Sequence, residues 1–182
     1  MRNKITLSEQ ILITSKLPDH LPLDLNYMKN NVIKNYSYGE RVSDHDYLHT
    51  KNYYNLSFDI NVQWINDFIV HHLAGYYDTK VNILAKHGII LFNNEGLDYH
   101  SQIDDLKPTE SPDLSCLFAI DMGNNPIEIR FKYNKGRNKN LFGRRILRKR
   151  DLLILSSEVP FSISSNNNKE PSIILSLQYQ KI

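Results

Sequence analysis

Short runs in which apolar and polar residues alternate fill the chain from residue 81 to its end. Each run is bounded by Asn, Gly, Pro or Asp, which is typical of β-strands separated by turns. The predicted strands lie near residues 81–85, 89–93, 97–102, 114–121, 127–133, 146–149, 152–156, 161–164 and 173–180. Because these short strands follow one another with no helical pattern between them, we predict a β-barrel or a β-sandwich.

One amphipathic helix is predicted immediately before the strands. Its apolar residues recur at helical spacing and are Val62, Ile65, Phe68, Ile69 and Leu73. Asn61 suits the N-cap, and Gly75 is expected to end the helix. We expect two facing sheets with this helix packed outside them. The inward residues predicted from strand alternation are Leu117, Ala119, Ile127, Ile129, Leu153, Leu155, Ile174 and Ser176.

The first part of the chain has a different character. Residues 1–58 are polar, contain Pro18 and Pro22, and show little apolar periodicity apart from residues 11–13. We therefore divide the chain into an N-terminal arm over residues 1–58 and one β-domain over residues 59–182. The length of 182 residues suffices for one domain with a core and an extension.

Composition excludes several classes of protein. Cys116 is the single cysteine, so neither an internal disulfide nor a cysteine-based zinc site is expected. No apolar stretch approaches the roughly 20 residues that span a bilayer, and no secretion signal follows Met1. A phosphate-binding loop of the Walker or Rossmann type is also missing. We expect a protein that is intracellular and cytoplasmic during synthesis and contacts no membrane, with the virion as a further expected location.

Charge is distributed in blocks although the net charge is only +2. Residues 95–121 are mainly acidic, whereas residues 130–150 carry many cations and no acid. Such asymmetry favours contact with a complementary protein surface or a polyanion, and the alternative is a solvated hairpin. Around the arginines at 144–150 the nearest rings are Tyr133 and Phe142, so stacking on nucleic-acid bases is not indicated. The residues predicted to form the interaction surface are Arg137, Arg144, Arg145, Arg148, Lys149 and Arg150.

Strand order and spacing carry a family resemblance. The segments concerned are 88–92 (Gly-Ile-Ile-Leu-Phe), 97–100 (Leu-Asp-Tyr-His), 114–120 (Leu-Ser-Cys-Leu-Phe-Ala-Ile), 126–131 (Pro-Ile-Glu-Ile-Arg-Phe) and 150–155 (Arg-Asp-Leu-Leu-Ile-Leu). Just over half of the chain thereby resembles the iron(II)/2-oxoglutarate oxygenases, including small members encoded by phages of marine bacteria. The resemblance implies a mainly β fold with a double-stranded β-helix core that is jelly-roll-like, one flanking helix and an extended N-terminal arm.

The same resemblance implies where the chemistry of the family would lie. In that family a His-x-Asp or His-x-His pair and a distal His hold iron, and an Arg near the last strand binds the carboxylate of 2-oxoglutarate. The matching positions hold His100 and Gln102, then Phe161, then Ser172. Only His100 keeps its family residue, and Asp104 is a second vestigial candidate if the strand register shifts. We therefore expect no catalytic residue, no metal and no cofactor, and iron with 2-oxoglutarate enters only under the alternative of an active oxygenase.

The function expected from the sequence is that of a structural or interaction protein that keeps the oxygenase scaffold without the enzyme. A phage virion component of the tail, neck or capsid is one form of this hypothesis. Two alternatives stay open, namely an iron(II)/2-oxoglutarate-dependent oxygenase and a module that binds a polyanion such as nucleic acid. The expected partners are other protein subunits of a larger assembly, with a polyanion as a further option.

Overall fold

The computed structural model describes residues 3–7, 10–39, 52–100, 111–134 and 140–182. Within these ranges the chain forms two helices and eleven strands. In chain order they are β1 (Asn3–Leu7), β2 (Gln10–Lys16), α1 (Leu25–Ser37), β3 (Tyr53–Asn55), α2 (Ile60–Tyr77), β4 (Val81–Leu91), β5 (Leu97–His100), β6 (Leu114–Asp121), β7 (Ile127–Asn134), β8 (Asn140–Leu147), β9 (Asp151–Ser156), β10 (Phe161–Ile163) and β11 (Ser172–Lys181).

The strands build two antiparallel sheets. The major sheet has the order β1-β2-β9-β6-β11-β4-β3, and the minor sheet has the order β5-β10-β7-β8. From β4 to β11 the chain passes back and forth between the two sheets, apart from the hairpin of β7 and β8 within the minor sheet, so that the strands wind around a common interior. This topology is the double-stranded β-helix, and the predicted fold class is confirmed.

Two apolar clusters result from the alternation of side chains along the strands. The inner cluster fills the space between the sheets, and it contains all seven apolar residues that were predicted to point inward, from Leu117 to Ile174. The outer cluster lies between the major sheet and the helices, where Ile65 and Ile69 are buried and Phe68 packs against them. Both helices therefore cover the outer face of the major sheet, and α2 lies outside the sheets as expected.

The predicted break within the first long strand is wrong. Residues 81–85 and 89–93 were expected to form two strands, but β4 runs without interruption through His87 and Gly88. A Cβ at Gly88 would lie 2.7 Å from the methyl carbons of Val32 in α1. This glycine therefore permits the close approach of α1 to the sheet and does not mark a turn. Strand β8 is also longer than the predicted run at 146–149.

Both predicted ends of α2 are corrected. Asp59 is the N-cap, with its carboxylate accepting from the backbone N–H of Val62 at 2.9 Å. Asn61 lies two residues later, in the first turn, where its Oδ1 accepts from the backbone N–H of Asp24 at 2.8 Å. Gly75 remains helical, and the helix ends at Asp78 in the left-handed conformation, with φ 48°. A glycine on the exposed side of a helix lowers its stability without ending it.

The N-terminal part of the chain joins the major sheet. Strand β2 pairs with β9, and β3 pairs with β4. Helix α1, which the apolar pattern did not predict, buries Met28 and Val32 in the outer cluster. The division of the chain at residue 58 stays a prediction. Neither described helix is long and apolar enough to cross a membrane.

Candidate functional site

Strand pairing at one end of the barrel places the family's metal positions next to each other. Strand β5 ends at His100 and β10 begins at Phe161, and these two residues are partners in the antiparallel register. We call this end of the barrel the mouth. Phe161 is also the register partner of Phe131 in β7. Phe161, which the sequence resemblance assigns to the place of the distal histidine, is thus the direct neighbour of His100, and the assignment stays a prediction.

Phe161 is part of the apolar core. Its side chain is 0% exposed and belongs to the inner cluster. A phenyl ring offers no lone pair to a metal ion, and here the ring fills the interior instead. The distal position therefore does not fit the iron site of the oxygenases.

The sequence resemblance assigns Ser172 to the place of the 2-oxoglutarate-binding arginine, and this assignment stays a prediction. It begins β11 at the barrel end opposite the mouth, next to Leu91 in β4. Its hydroxyl is buried and has no hydrogen-bond partner among the described residues. A hydroxyl lacks the charge and the two parallel donors with which a guanidinium binds a carboxylate. This position does not fit the family's mode of binding 2-oxoglutarate either.

Of the remaining predicted metal candidates, one lies within the described residues and two lie outside them. For His100 the described structure gives the backbone at the end of β5. Gln102 and Asp104 lie outside the described residues, and so does Arg137 of the predicted interaction surface. Among the described residues, no group of three His, Cys, Asp or Glu side chains could hold a metal ion.

Five buried polar residues face the barrel interior in the half next to the mouth. We call them the polar arc, and they are His87, Ser115, Ser157, Ser176 and Gln178. Ser176 is the register partner of His87 on one side, and Gln178 is the partner of Ser115 on the other. Inward positions at the opposite end hold apolar residues such as Leu91 and Ala119. Buried polar side chains are therefore concentrated in the half next to the mouth, where Phe131 and Phe161 are also buried, whereas the opposite end is mainly apolar apart from Ser172.

Hydrogen bonding and ring contacts hold parts of this arc in place. The hydroxyls of Ser115 and Ser157 share a hydrogen bond of 2.8 Å. The imidazole of His87 lies edge-on to the ring of Tyr53, with 6.0 Å between centroids. An imidazole, an amide and three hydroxyls can donate and accept hydrogen bonds, so the arc can bind a small polar group.

Sequence reasoning placed Ser176 inward but did not assemble this arc. The available signal was the alternation along β11, where Ser172, Ser176 and Gln178 are separated by apolar residues. Such alternation usually places the polar face in water. In this fold the apolar face of β11 is covered by the helices, so the polar face points into the barrel.

Among the described residues of the basic block, the side chains point in different directions. Arg144 and Arg145 are consecutive in β8 and point to opposite faces of the minor sheet. Arg144 lies on the outer face with a side chain that is 80% exposed. Arg148 and Lys149 are exposed in the turn between β8 and β9. This turn lies at the barrel end opposite the mouth.

Arg150 has a structural role within the chain. Its Nη2 donates to the backbone carbonyls of Pro18 and Leu21, and its side chain is only 16% exposed. The backbone N–H of Leu17 in turn donates to the carbonyl of Arg150 at 3.1 Å. Arg150 thus ties the segment after β2 to the start of β9.

Comparisons with solved structures identify the same fold in several enzymes. AviO1 from Streptomyces viridochromogenes Tue57 matches with a TM-score of 0.65 at 10% identity, covering 93% of this chain and 89% of that one. HygX from Streptomyces hygroscopicus, solved with nickel and 2-oxoglutarate bound, matches with a TM-score of 0.63 at 10% identity over 96% and 83%. SnoK, a non-heme alpha-ketoglutarate-dependent carbocyclase from nogalamycin biosynthesis, matches with a TM-score of 0.62 at 8% identity over 92% and 78%. No protein-family model matches the sequence, and no curated protein sequence matches it.

These comparisons support the predicted resemblance to the 2-oxoglutarate oxygenases at the level of the fold. They also correct the expectation of no cofactor, because HygX shares this fold and holds nickel and 2-oxoglutarate. A metal ion together with 2-oxoglutarate is thus compatible with such a barrel. In this chain, the positions that the sequence resemblance assigns to the distal histidine and the arginine hold Phe161 and Ser172.

Proposed function

We propose that this chain is an interaction protein on the scaffold of the 2-oxoglutarate oxygenases, and that oxygenase turnover is not its function. The single observation that carries the proposal is the place of Phe161, which is buried in the inner cluster and is the register partner of His100. An apolar ring at this point replaces a ligand that the oxygenase reaction requires. The fold then remains as a rigid frame for surface contacts.

The proposed partners are other protein subunits in a larger assembly. The exposed cations and apolar side chains on the outer face of the minor sheet support a contact there, because charged and apolar groups together are typical of protein interfaces. A virion component of the tail, neck or capsid is the specific form of the proposal. That form rests on the resemblance to small phage-encoded proteins.

An oxygenase with a changed set of ligands is the second candidate. It is favoured by the likeness to HygX, which binds nickel and 2-oxoglutarate, and by the polar arc next to the mouth. Under this candidate, His100 would be one metal ligand, and Asp104 would supply a carboxylate. The polar arc would bind part of the co-substrate or the substrate by hydrogen bonds.

Succinate release separates the two candidates. The full chain is incubated with iron(II), 2-oxoglutarate, ascorbate and oxygen, and succinate is measured for the wild type and for His100→Ala. Under the interaction proposal, we expect the wild type and His100→Ala to release the same background amount of succinate. Succinate release that depends on His100 would favour the oxygenase and overturn the first candidate.

The interaction itself is tested in the native host. A tagged wild-type chain and a variant with Arg144, Arg145 and Arg148 all changed to Glu are expressed, and the share found in high-mass complexes is measured by gel filtration. We expect the variant to lose the complex while its circular dichroism spectrum is unchanged. If wild type and variant both elute as monomers, the proposed assembly is wrong.

A further inference from the structure

The outer face of the minor sheet carries two facing lines of side chains. Alternate residues of β7 and β8 point outward, and their register pairs them across the two strands. We call this set the outer row, and it consists of the pairs Glu128 with Ile146, Arg130 with Arg144, and Lys132 with Phe142.

Two guanidinium groups face each other at the centre of the outer row. Arg130 and Arg144 are direct register partners, and like charges at such positions destabilise a sheet. One carboxylate contacts both of them, since Glu128 lies 2.6 Å from the Nε of Arg130 and 3.7 Å from the Nη1 of Arg144. With Lys132 included, three cations and one acid give the row a net charge of +2. An added anionic group would relieve the repulsion of the arginine pair.

Apolar side chains flank these charges on the surface. Phe142 is 64% exposed and Ile146 is 43% exposed, on either side of Arg144 along β8. A groove of about 470 Å³ runs between Arg130, Phe142 and Arg144. Exposed aromatic and aliphatic groups next to arginines are typical of binding surfaces.

Strand β8 is the terminal strand of the minor sheet, with β7 as its strand neighbour among the described residues. A terminal strand presents unpaired main-chain N–H and C=O groups that can pair with an added strand. Gly143 lets this strand lie close against the ring of Phe131, because a Cβ there would lie 2.2 Å from that ring.

We propose that β8 and the outer row form a docking site for an extended acidic segment of a partner protein. The segment would add as a further strand beside β8, with a carboxylate on the pair Arg130 and Arg144, and with apolar side chains on Phe142 and Ile146. The inference rests on the proposed interaction function and names the chemistry of its partner. A nucleic acid fits less well, because its phosphates need a succession of cations, whereas here an apolar side chain lies on each side of Arg144 along β8.

Fluorescence anisotropy with synthetic probes tests the proposal on the full chain. The main probe, called the Val-Glu peptide, is a fluorescein-labelled peptide of the repeat Val-Thr-Glu-Thr, which places Val and Glu in turn on the same face of an extended strand. A second peptide carries Gln in place of Glu, a third is N-methylated at alternate residues, and a labelled oligothymidine serves as the polyanion. Arg144→Glu reverses the centre of the row, and Arg148→Glu makes the same charge change in the turn outside it. Both side chains are exposed, so the fold of each variant is expected to persist, and circular dichroism checks this.

We expect the Val-Glu peptide to bind the wild type and Arg148→Glu alike, and to bind Arg144→Glu at least about tenfold more weakly. The Gln peptide and the N-methylated peptide should both lose affinity, because the first lacks the carboxylates and the second lacks main-chain donors. Absence of binding, or equal binding by Arg144→Glu, would overturn the proposal. The proposal would also be overturned if oligothymidine bound more tightly than the peptide and this binding depended on Arg144. Self-association of the wild type that Arg144→Glu abolishes would overturn it as well.

Failure of the docking site is distinguishable from failure of the proposed function. His100-dependent succinate release would overturn the interaction function as the role of the fold, yet it would leave the peptide result unchanged. Conversely, loss of high-mass complexes in the triple variant with no binding of the peptide would keep the interaction function and reject this partner chemistry.

Discussion

The ammonium group of Lys29 donates to Oδ2 of Asp121 at 2.8 Å, which ties α1 to the end of β6. Burial raises the pKa of Asp121, but the hydrogen bonds from Lys29 and the N–H of Gly123, together with attraction to Lys29 and Lys149, outweigh it and lower the pKa. The carboxylate is therefore held in its charged form in the folded protein.

This contact predicts a pH dependence of stability. Because the folded pKa of Asp121 lies below the unfolded value of about 3.9, its contribution is complete above that pH and is lost as the pH falls through the folded pKa. Asp121→Asn should lower the free energy of unfolding by about 1 kcal/mol or less near neutral pH, since the pair is partly exposed. The difference from wild type should vanish in acid, as urea unfolding at a series of pH values would measure.

The control for this prediction is Glu158→Gln, which removes an exposed carboxylate from the turn before β10. Lys29→Met should reproduce the effect of Asp121→Asn. A stability difference that grows as the pH falls would contradict the assigned direction of the pKa shift.

Arg150 gives a second prediction. Arg150→Ala removes the donors to the carbonyls of Pro18 and Leu21 and should cost about 1–3 kcal/mol of unfolding free energy. The φ of Arg150 is 70°, so Arg150→Gly should cost less than Arg150→Ala although it removes the same side chain. Hydrogen exchange should increase at the amide of Leu17 in both variants. Arg148→Ala, in the same exposed turn, should leave stability and exchange unchanged.

The sequence predicted the parts of the fold in which local pattern and burial agree. Alternation located most strands of the β-helix and the inward side of Leu117, Leu153 and Ile174, because a shift by one residue would expose the whole apolar face. Helix α1 was not predicted from the sequence, because its short buried stripe, centred on Met28 and Val32, is surrounded by polar residues. Such a helix is stabilised by packing on the sheet more than by its own pattern.

The candidate site could be predicted only in part, because strand order as well as local pattern determines which residues lie together. The place of Phe161 followed from spacing, and the register with His100 agrees with it. The polar arc combines His87, Ser115 and Gln178 from three different strands, and only strand order brings them together. Residues that approach each other through tertiary structure leave no fixed spacing in the sequence.

Cys116 gives a prediction about reactivity. Its side chain is completely buried in the outer cluster, and burial raises the pKa of the thiol well above its usual value. Because the thiolate is the reactive form, the folded protein should react with a disulfide reagent such as Ellman's reagent only as fast as it unfolds. Lys149→Cys adds an exposed thiol as the control, and that thiol should react at once. Rapid reaction of the wild-type thiol would show that the outer cluster opens without global unfolding.

Phe161 gives the prediction that bears most directly on function. If the ring fills the barrel as a core residue, Phe161→Ala should lower the free energy of unfolding by about 3–5 kcal/mol, through lost burial and the cavity left behind. Phe142→Ala is the matched control, since that ring is exposed on the outer row and its removal should change stability by about 0.5 kcal/mol or less. Urea unfolding of both variants measures the difference. A loss below about 1 kcal/mol for Phe161→Ala would mean that the interior at the mouth is not packed around this ring. The space beside His100 would then be available to a ligand, and the oxygenase would become the better supported candidate.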